Sequence, residues 1–92
     1  MIGMARVLSL YRILVPPEVD LDAVKGAIPS ALSEIGVQIL EIEEAPLAFG
    51  VTAIRILLSA PEEEGVTDRI GEALSSIEGV SSVELERESR QG

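Results

Sequence analysis

Hydrophobic and polar residues follow two different periods along this chain. Alternation is typical of strands and recurrence at helical spacing is typical of helices. The predicted strands cover 5–15, 37–44, 51–60 and 80–87, and the predicted helices cover 21–35 and 66–77. The order β-α-β-β-α-β is that of the ferredoxin-like sandwich, an α+β fold in which a four-stranded antiparallel sheet carries two helices on one face. The sequence therefore predicts a single domain over 1–92.

The first predicted strand, Ala5–Val15, is partly apolar on both faces. Val7, Tyr11 and Ile13 share one face, and three leucines share the other with two arginines. A strand of this kind is typical of the middle of a sheet. We therefore expect it to be central, and Pro16-Pro17 to end it.

Local features are predicted for three of the elements: a break in one helix, a bulge in one strand and the cap of the other helix. Pro29 lies inside the first helix, which begins after the N-cap Asp20, so we expect a kink there or two short helical pieces. The apolar phase changes within the second strand, which predicts a bulge near Leu40. Thr67 or Gly65 is expected to cap the second helix.

The C-terminal part of the chain is predicted to end in a strand whose inward residues are Val83 and Leu85. Gly79 precedes this strand at the place expected for a C′ glycine, directly after the second helix. The polar tail, 89–92, is predicted to fray.

Charge and missing residue types exclude several classes of function. The 16 acidic and 7 basic residues give a formal net charge of −9, which argues against a nucleic-acid partner. Since the sequence has no Cys and no His, thiolate and iron–sulfur chemistry and the commonest general base and zinc ligand are excluded. A signal peptide and a bilayer-spanning stretch are both lacking, so we expect a cytoplasmic protein that does not contact membranes.

The chain's one phenylalanine lies in a short junction between the second and third strands, Pro46-Leu47-Ala48-Phe49-Gly50. Proline disfavours a central strand and glycine permits a positive φ, so the chain is expected to reverse here. Because the flanking strands are consecutive and closely linked, we expect them to pair antiparallel.

Three parts of the sequence resemble archaeal translation elongation factor 1-beta, a family similar to the exchange domain of the eukaryotic factor. They are APLAFG with EIEE ahead of it, Pro17–Leu21, and Pro61–Val80, within a likeness that covers about Val7–Glu86. The resemblance implies the same sandwich fold. It also implies a guanine-nucleotide exchange factor that promotes GDP release and GTP reloading on elongation factor 1-alpha, without covalent chemistry or a cofactor.

Phe49 is the main candidate for contact with that GTPase, and two interpretations of it stay open. It either folds back over the edge of the core or stands exposed as an interface anchor, because aromatic side chains bury much area at little entropic cost. In the resembled family an aromatic at this place docks against the GTPase near its nucleotide site. The resemblance extends the candidate partner-binding site to Leu47, Ala48 and Gly50.

Basic residues complete the candidate partner-binding site. The family commonly has a basic residue two positions after the glycine, where this chain has Thr52, so the nearby Arg55 is the candidate. Eukaryotic members end in a lysine that disturbs the partner's magnesium site, and archaeal members often end in a basic pair and an apolar residue. This chain ends Arg90-Gln91-Gly92, so the resemblance assigns the role of these basic residues to Arg87 and Arg90. The alternative interpretation is that this segment is a solvated polar tail without a role in binding.

No metal or nucleotide site is predicted. The glutamates of 41–44 and 62–64 lack the spacing of hard-metal ligands, and they are expected to be solvated or to steer a basic partner. No phosphate-cradling glycine loop occurs. Two rival functions on the same fold stay open. One is an acylphosphatase-like hydrolase, which the lack of any Asn disfavours, and the other is a ligand-sensing regulatory domain.

Overall fold

The computed structural model describes residues 5–91, and the elements within them follow the predicted order. The strands are β1 (Arg6–Val15), β2 (Gln38–Pro46), β3 (Thr52–Pro61) and β4 (Ser82–Gln91), and the helices are α1 (Leu21–Leu32) and α2 (Val66–Ser75). The strands form an antiparallel sheet in the order β2-β3-β1-β4. The ferredoxin-like α+β fold and the central position of β1 are therefore confirmed.

One face of the sheet carries the core. Residues of β1 alternate between buried and half-buried, and Tyr11 and Ile13 are among the buried ones. They pack in one cluster with Ile28 of α1 and with Ile70 of α2. Both helices therefore cover the same face. The opposite face, with half-buried side chains such as Leu10, is the uncovered face of the sheet.

Helix α1 is capped by Asp20, whose carboxylate accepts a 3.1 Å hydrogen bond from the Asp22 backbone N–H. The expected division into two pieces at Pro29 is wrong, because a single α-helix continues through the proline to Leu32. Pro29 is exposed and close to the helix end, so its ring removes one backbone bond without displacing a core side chain. A 3-10 turn, Ser33–Ile35, follows the helix. A kink at Pro29 stays a prediction.

The predicted bulge in β2 is confirmed. Ile39 pairs with Leu58 and Glu41 pairs with Leu57, which leaves Leu40 as the extra residue. The strand also extends further than predicted, to Pro46. Because β2 is an edge strand, a proline at its end removes no bond that the sheet needs.

One prediction about the ends of α2 is confirmed and another needs correction. Gly65, one of the two expected capping residues, is the N-cap of the helix. Gly79 is not the C′ residue, because the C-cap is Ser76 and the glycine lies further along. Its positive φ of 100° instead belongs to the turn into β4, where it lies against Val19. None of the helices in residues 5–91 is both long enough and apolar enough to span a bilayer.

Strand β4 also differs from its prediction. The expected fraying from residue 89 is wrong, since the strand runs to Gln91 and Arg90 pairs with Val7 of β1; Gly92 lies outside the described residues. β1 offers β4 backbone partners from Arg6 to Leu14, and this pairing holds the polar tail in place. Val83 packs against the core as predicted, but Leu85 is 41% exposed because it lies on the outermost strand.

Candidate partner-binding site

The β2–β3 connection, residues 47–51, is a closed turn that we call the corner. Pro46 pairs with Thr52 at its base. Within it the Leu47 N–H donates to the Val51 carbonyl at 2.7 Å, and the Val51 N–H donates to the Ala48 carbonyl at 3.4 Å. The paired strands and these two bonds fix the path of the corner backbone.

Phe49 at the tip of the corner has a left-handed backbone, with φ 64° and ψ 27°. It is the one non-glycine residue with a positive φ among residues 5–91. This conformation costs roughly 1–2 kcal/mol for an L-residue. Its side chain is 94% exposed, so the interpretation in which Phe49 covers the edge of the core is wrong. The corner therefore holds a large aromatic ring in solvent at the expense of local strain.

The neighbours of Phe49 enlarge this exposed apolar area. Leu47 is 44% exposed, and Ala48 and Gly50 are exposed as well. Pro17, also exposed, lies so close that a Cβ built on Gly50 would be 3.0 Å from its Cβ. The sequence marked Pro17 as the end of a strand and as part of the resemblance before the first helix, but no local signal relates it to a turn more than thirty residues away.

Arg55 is placed on the uncovered face of the sheet, beyond the corner. Its Nε lies 3.1 Å from Glu86 Oε1, and its Cα partner on β1 is Arg12. Arg12 in turn binds Glu84 at 2.7 Å. Arg55 is therefore part of an ion-pair cluster within the sheet, so its charge is partly neutralised by the chain itself.

Arg87 and Arg90 lie far from the corner. Arg90 pairs with Val7, whereas the corner adjoins Thr52, whose partner is Val15 at the other end of β1. At about 3.3 Å per residue along β1, the two ends are roughly 26 Å apart. Arg90 forms an ion pair with Glu62, and within residues 5–91 Arg87 is the cation that has neither an ion pair nor a side-chain hydrogen bond. The structure thus separates Arg90 from the corner by most of the length of β1, and it places Arg87 opposite Leu10, in the middle of that strand.

Lys25 and Tyr11 have shifted pKa values, and neither residue lies in the corner. A hydrogen bond from Lys25 to Glu44, together with the charge of Glu44, raises the pKa of Lys25. Burial, and then the charges of Glu88 and Asp68, raise the pKa of Tyr11 to about 12. The Tyr11 hydroxyl donates to the Thr67 carbonyl at 3.0 Å. In the part of the chain that the structure describes, no cluster of three or more acidic side chains forms a candidate metal site.

Comparison with known proteins points to one family. Residues 14–90 match the family described as the EF-1 guanine nucleotide exchange domain. The chain is 41% identical over 92 residues to a protein named Elongation factor 1-beta from Korarchaeum cryptofilum, covering 100% of both chains. It is also 41% identical over 87 residues to a protein of that name from Staphylothermus marinus, covering 90% of this chain and 93% of the relative.

A solved structure with a similar fold is the ACT domain from GTP pyrophosphokinase of Chlorobium tepidum. The TM-score is 0.64 over 86% of this chain and 96% of that chain, and the sequence identity is 16%. At that identity the likeness shows the fold alone, so it does not favour a ligand-sensing function. The family match and the full-length relatives, in contrast, cover the corner and both ends of the sheet. This chain therefore belongs to the EF-1 guanine nucleotide exchange domain family.

Proposed function

We propose that residues 1–92 act as one exchange domain that promotes GDP release from elongation factor 1-alpha and its reloading with GTP. Family membership supports the activity. The observation that carries the proposed contact is Phe49, which is 94% exposed on a strained, doubly hydrogen-bonded corner. An exposed aromatic ring on a rigid turn is typical of an interface anchor, because little entropy is lost when it is buried.

The proposed mechanism is a change in populations and involves no covalent bond. The exchange factor binds the nucleotide-free GTPase more tightly than the GDP-bound form, and so raises the population of the empty form. By linkage, GDP weakens the binding of the exchange factor by the same factor by which the exchange factor weakens that of GDP. GTP then loads the empty site, and the exchange factor leaves. This mechanism needs neither a general base nor a nucleophile on this chain.

Each corner residue has a proposed part in the contact. Phe49 inserts into an apolar pocket of the GTPase, and Leu47 and Ala48 exclude water around it. Gly50, with a φ of 79°, allows the chain to turn back directly after the ring. The net charge of −9 steers the protein towards a basic surface on its partner.

The arginines of β4 are proposed as a second contact. Arg87 has no ion pair within residues 5–91 to neutralise it, so it is the more available cation, whereas Arg90 must first separate from Glu62. Because Arg90 is near the end of the sheet opposite Phe49 and Arg87 lies opposite Leu10 in the middle of β1, the GTPase would have to extend along the sheet from the corner. Arg87→Ala should then lower the association rate more than Arg90→Ala does. If Arg87→Ala and wild type associate with the GTPase at equal rates, Arg87 is not part of the contact.

The test of the proposed function is the rate at which elongation factor 1-alpha of the same organism releases labelled GDP, with and without this protein. We expect stimulated release with wild type and a large loss with Phe49→Ala. Leu40→Ala is the matched control, because Leu40 is also a large exposed apolar residue, at 46%, but lies in the β2 bulge. Release that the wild-type protein does not accelerate would contradict the proposed function.

A further inference from the structure

The turn between β1 and α1 lies between the corner on one side and the α2–β4 connection on the other. We call residues 16–19 the proline turn. The Val19 N–H donates to the Pro16 carbonyl at 3.2 Å, which closes the turn. The Ser81 N–H donates to the Leu14 carbonyl at 2.9 Å, and this bond ties the start of β4 to the end of β1. Three connections of the fold are thus packed together at one end of the sheet.

The contact between the corner and the proline turn is tight. A Cβ built on Gly50 would lie 3.0 Å from Pro17 Cβ and 3.4 Å from Pro17 Cγ. Real Cβ atoms rarely approach so closely, so the Gly50 backbone rests directly on the proline ring. Phe49 precedes Gly50, and the position of the aromatic ring therefore depends on where Pro17 lies.

The contact on the other side of the proline turn is tighter still. Gly79 has a φ of 100°, and a Cβ built on it would lie 2.5 Å from Val19 Cγ1 and 3.3 Å from Val24 Cγ2. A side chain at this position would have to displace Val19. The α2–β4 connection thus sets the position of the proline turn from the side away from the corner.

We propose that Gly79 and Pro17 are positioning residues for Phe49. Contact with Gly79 fixes where Val19 lies, and Val19 belongs to the same closed turn as Pro17, so the position of Pro17 is fixed as well. Pro17 in turn packs against Gly50, the residue next to Phe49. This inference rests on the proposed function for its effect on nucleotide exchange, while its structural part concerns the free protein alone. A side chain at residue 79 should move Phe49 without touching it. Because small misplacements of a contact group have large kinetic effects, the loss should be measurable in exchange.

The main variant is Gly79→Ala, and its matched control is Gly36→Ala. Gly36 has a φ of 80° and no heavy atom within 4 Å of a built Cβ, so alanine there brings a similar backbone strain without a contact. In amide NMR spectra of the free protein, the Phe49 and Gly50 signals should shift in Gly79→Ala and stay unchanged in Gly36→Ala. In the GDP-release assay, the half-saturating concentration should rise by about tenfold in Gly79→Ala, with the maximal rate retained.

A rescue variant separates the contact from the backbone strain. Val19→Ala removes the Cγ1 atom that a side chain at residue 79 would meet, while the positive φ of residue 79 persists. The double variant Gly79→Ala/Val19→Ala should therefore return to the half-saturating concentration of Val19→Ala alone. Loss of folded protein is monitored by circular dichroism for each variant, so that a smaller folded fraction is not counted as weaker binding.

Corner amide signals that stay in place in folded Gly79→Ala would overturn the inference, whatever the release assay shows. If Gly79→Ala does not fold, Pro17→Gly is compared with Glu18→Gly. Both changes loosen the same turn, but only Pro17 adjoins Gly50. Equal corner shifts in these two variants would also overturn it. If wild type fails to accelerate GDP release, the proposed function fails, and the amide signals still decide whether Gly79 positions the corner.

Discussion

Arg55 Nε lies 3.1 Å from Glu86 Oε1, although their strands, β3 and β4, are separated in the sheet by β1. The bulge in β4 explains this reach. Leu10 pairs with Arg87 and Tyr11 pairs with Leu85, so Glu86 is the extra residue and is turned onto the uncovered face. There its carboxylate also lies 3.8 Å from the Nε of Arg12.

Glu86 therefore lies beside two arginines that face each other on neighbouring strands. Arg12 and Arg55 are Cα partners, and like charges in that arrangement repel. We predict that Glu86→Gln lowers the free energy of unfolding by about 1 kcal/mol, since both arginines lose their shared counter-charge. The measurement is a urea melt at low ionic strength. In about 1 M salt, where the Debye length is about 3 Å, the loss should shrink.

Glu84→Gln is the matched control for this prediction. Glu84 contacts Arg12 alone and its side chain is 57% exposed, so its removal should cost less than that of Glu86. In an Arg55→Thr background the cost of Glu86→Gln should also fall, because the like-charge pair is gone. Equal losses for both glutamates, or a loss that salt leaves unchanged, would contradict the bridging role of Glu86.

Substitutions of Phe49 test both its strain and its contact. Because the side chain is 94% exposed, Phe49→Ala should change the free energy of unfolding by no more than about 0.5 kcal/mol. Phe49→Gly should be more stable than Phe49→Ala by roughly 1 kcal/mol, since glycine adopts the φ of 64° without strain. Both should weaken binding to the GTPase by about 2 kcal/mol or more.

Denaturant melts and stimulated GDP release, measured on the same samples, separate these effects. A loss of about 3–5 kcal/mol in stability for Phe49→Ala would instead indicate a core residue. If Phe49→Ala is well folded and stimulates exchange at the wild-type rate, Phe49 is not an interface residue.

The raised pKa of Tyr11 predicts that the protein loses stability at high pH. This pKa is raised from 10.0 to about 12 in the folded protein, chiefly by burial. The folded state thus holds the phenolic proton more tightly than the unfolded chain does. This contribution to stability is complete below pH 10.0 and is lost as pH rises from there towards about 12.

The chain offers a direct measurement, because Tyr11 is its one tyrosine and it has no tryptophan. Ultraviolet absorbance of tyrosinate should therefore report the raised pKa. The pKa of Lys25 is raised as well, by Glu44, so melts of wild type and Tyr11→Phe are compared across the same pH range. The phenylalanine variant should lose stability less steeply above pH 10.0. An absorbance midpoint at the ordinary tyrosine value would contradict the prediction.

The isolated protein should not bind GDP. Its sequence has no phosphate-cradling glycine loop, and an acidic surface repels phosphates. Calorimetry with GDP at micromolar concentration should show no binding heat. A measured affinity there would favour the nucleotide-sensing or hydrolytic alternatives over an exchange factor.

The sequence by itself determined the order of the elements, the central position of β1 and the bulge at Leu40. Each of these follows from hydrophobic period and turn residues that are close together along the chain, where the geometry of one strand or helix decides the outcome. The exposed ring of Phe49 was one of two alternatives, since a short junction carries no local signal for the direction of a side chain.

Only the tertiary structure decided how distant segments meet. The long β1 strand holds the polar tail in β4 up to Gln91, and thereby keeps Arg90 near the end of the sheet opposite Phe49 and Arg87 opposite the middle of β1. The ion pair between Arg55 and Glu86 and the seating of Val19 against Gly79 also join residues that are far apart in sequence. Strand register and the packing of connections set such contacts, and neither is encoded in the neighbours of a residue along the chain.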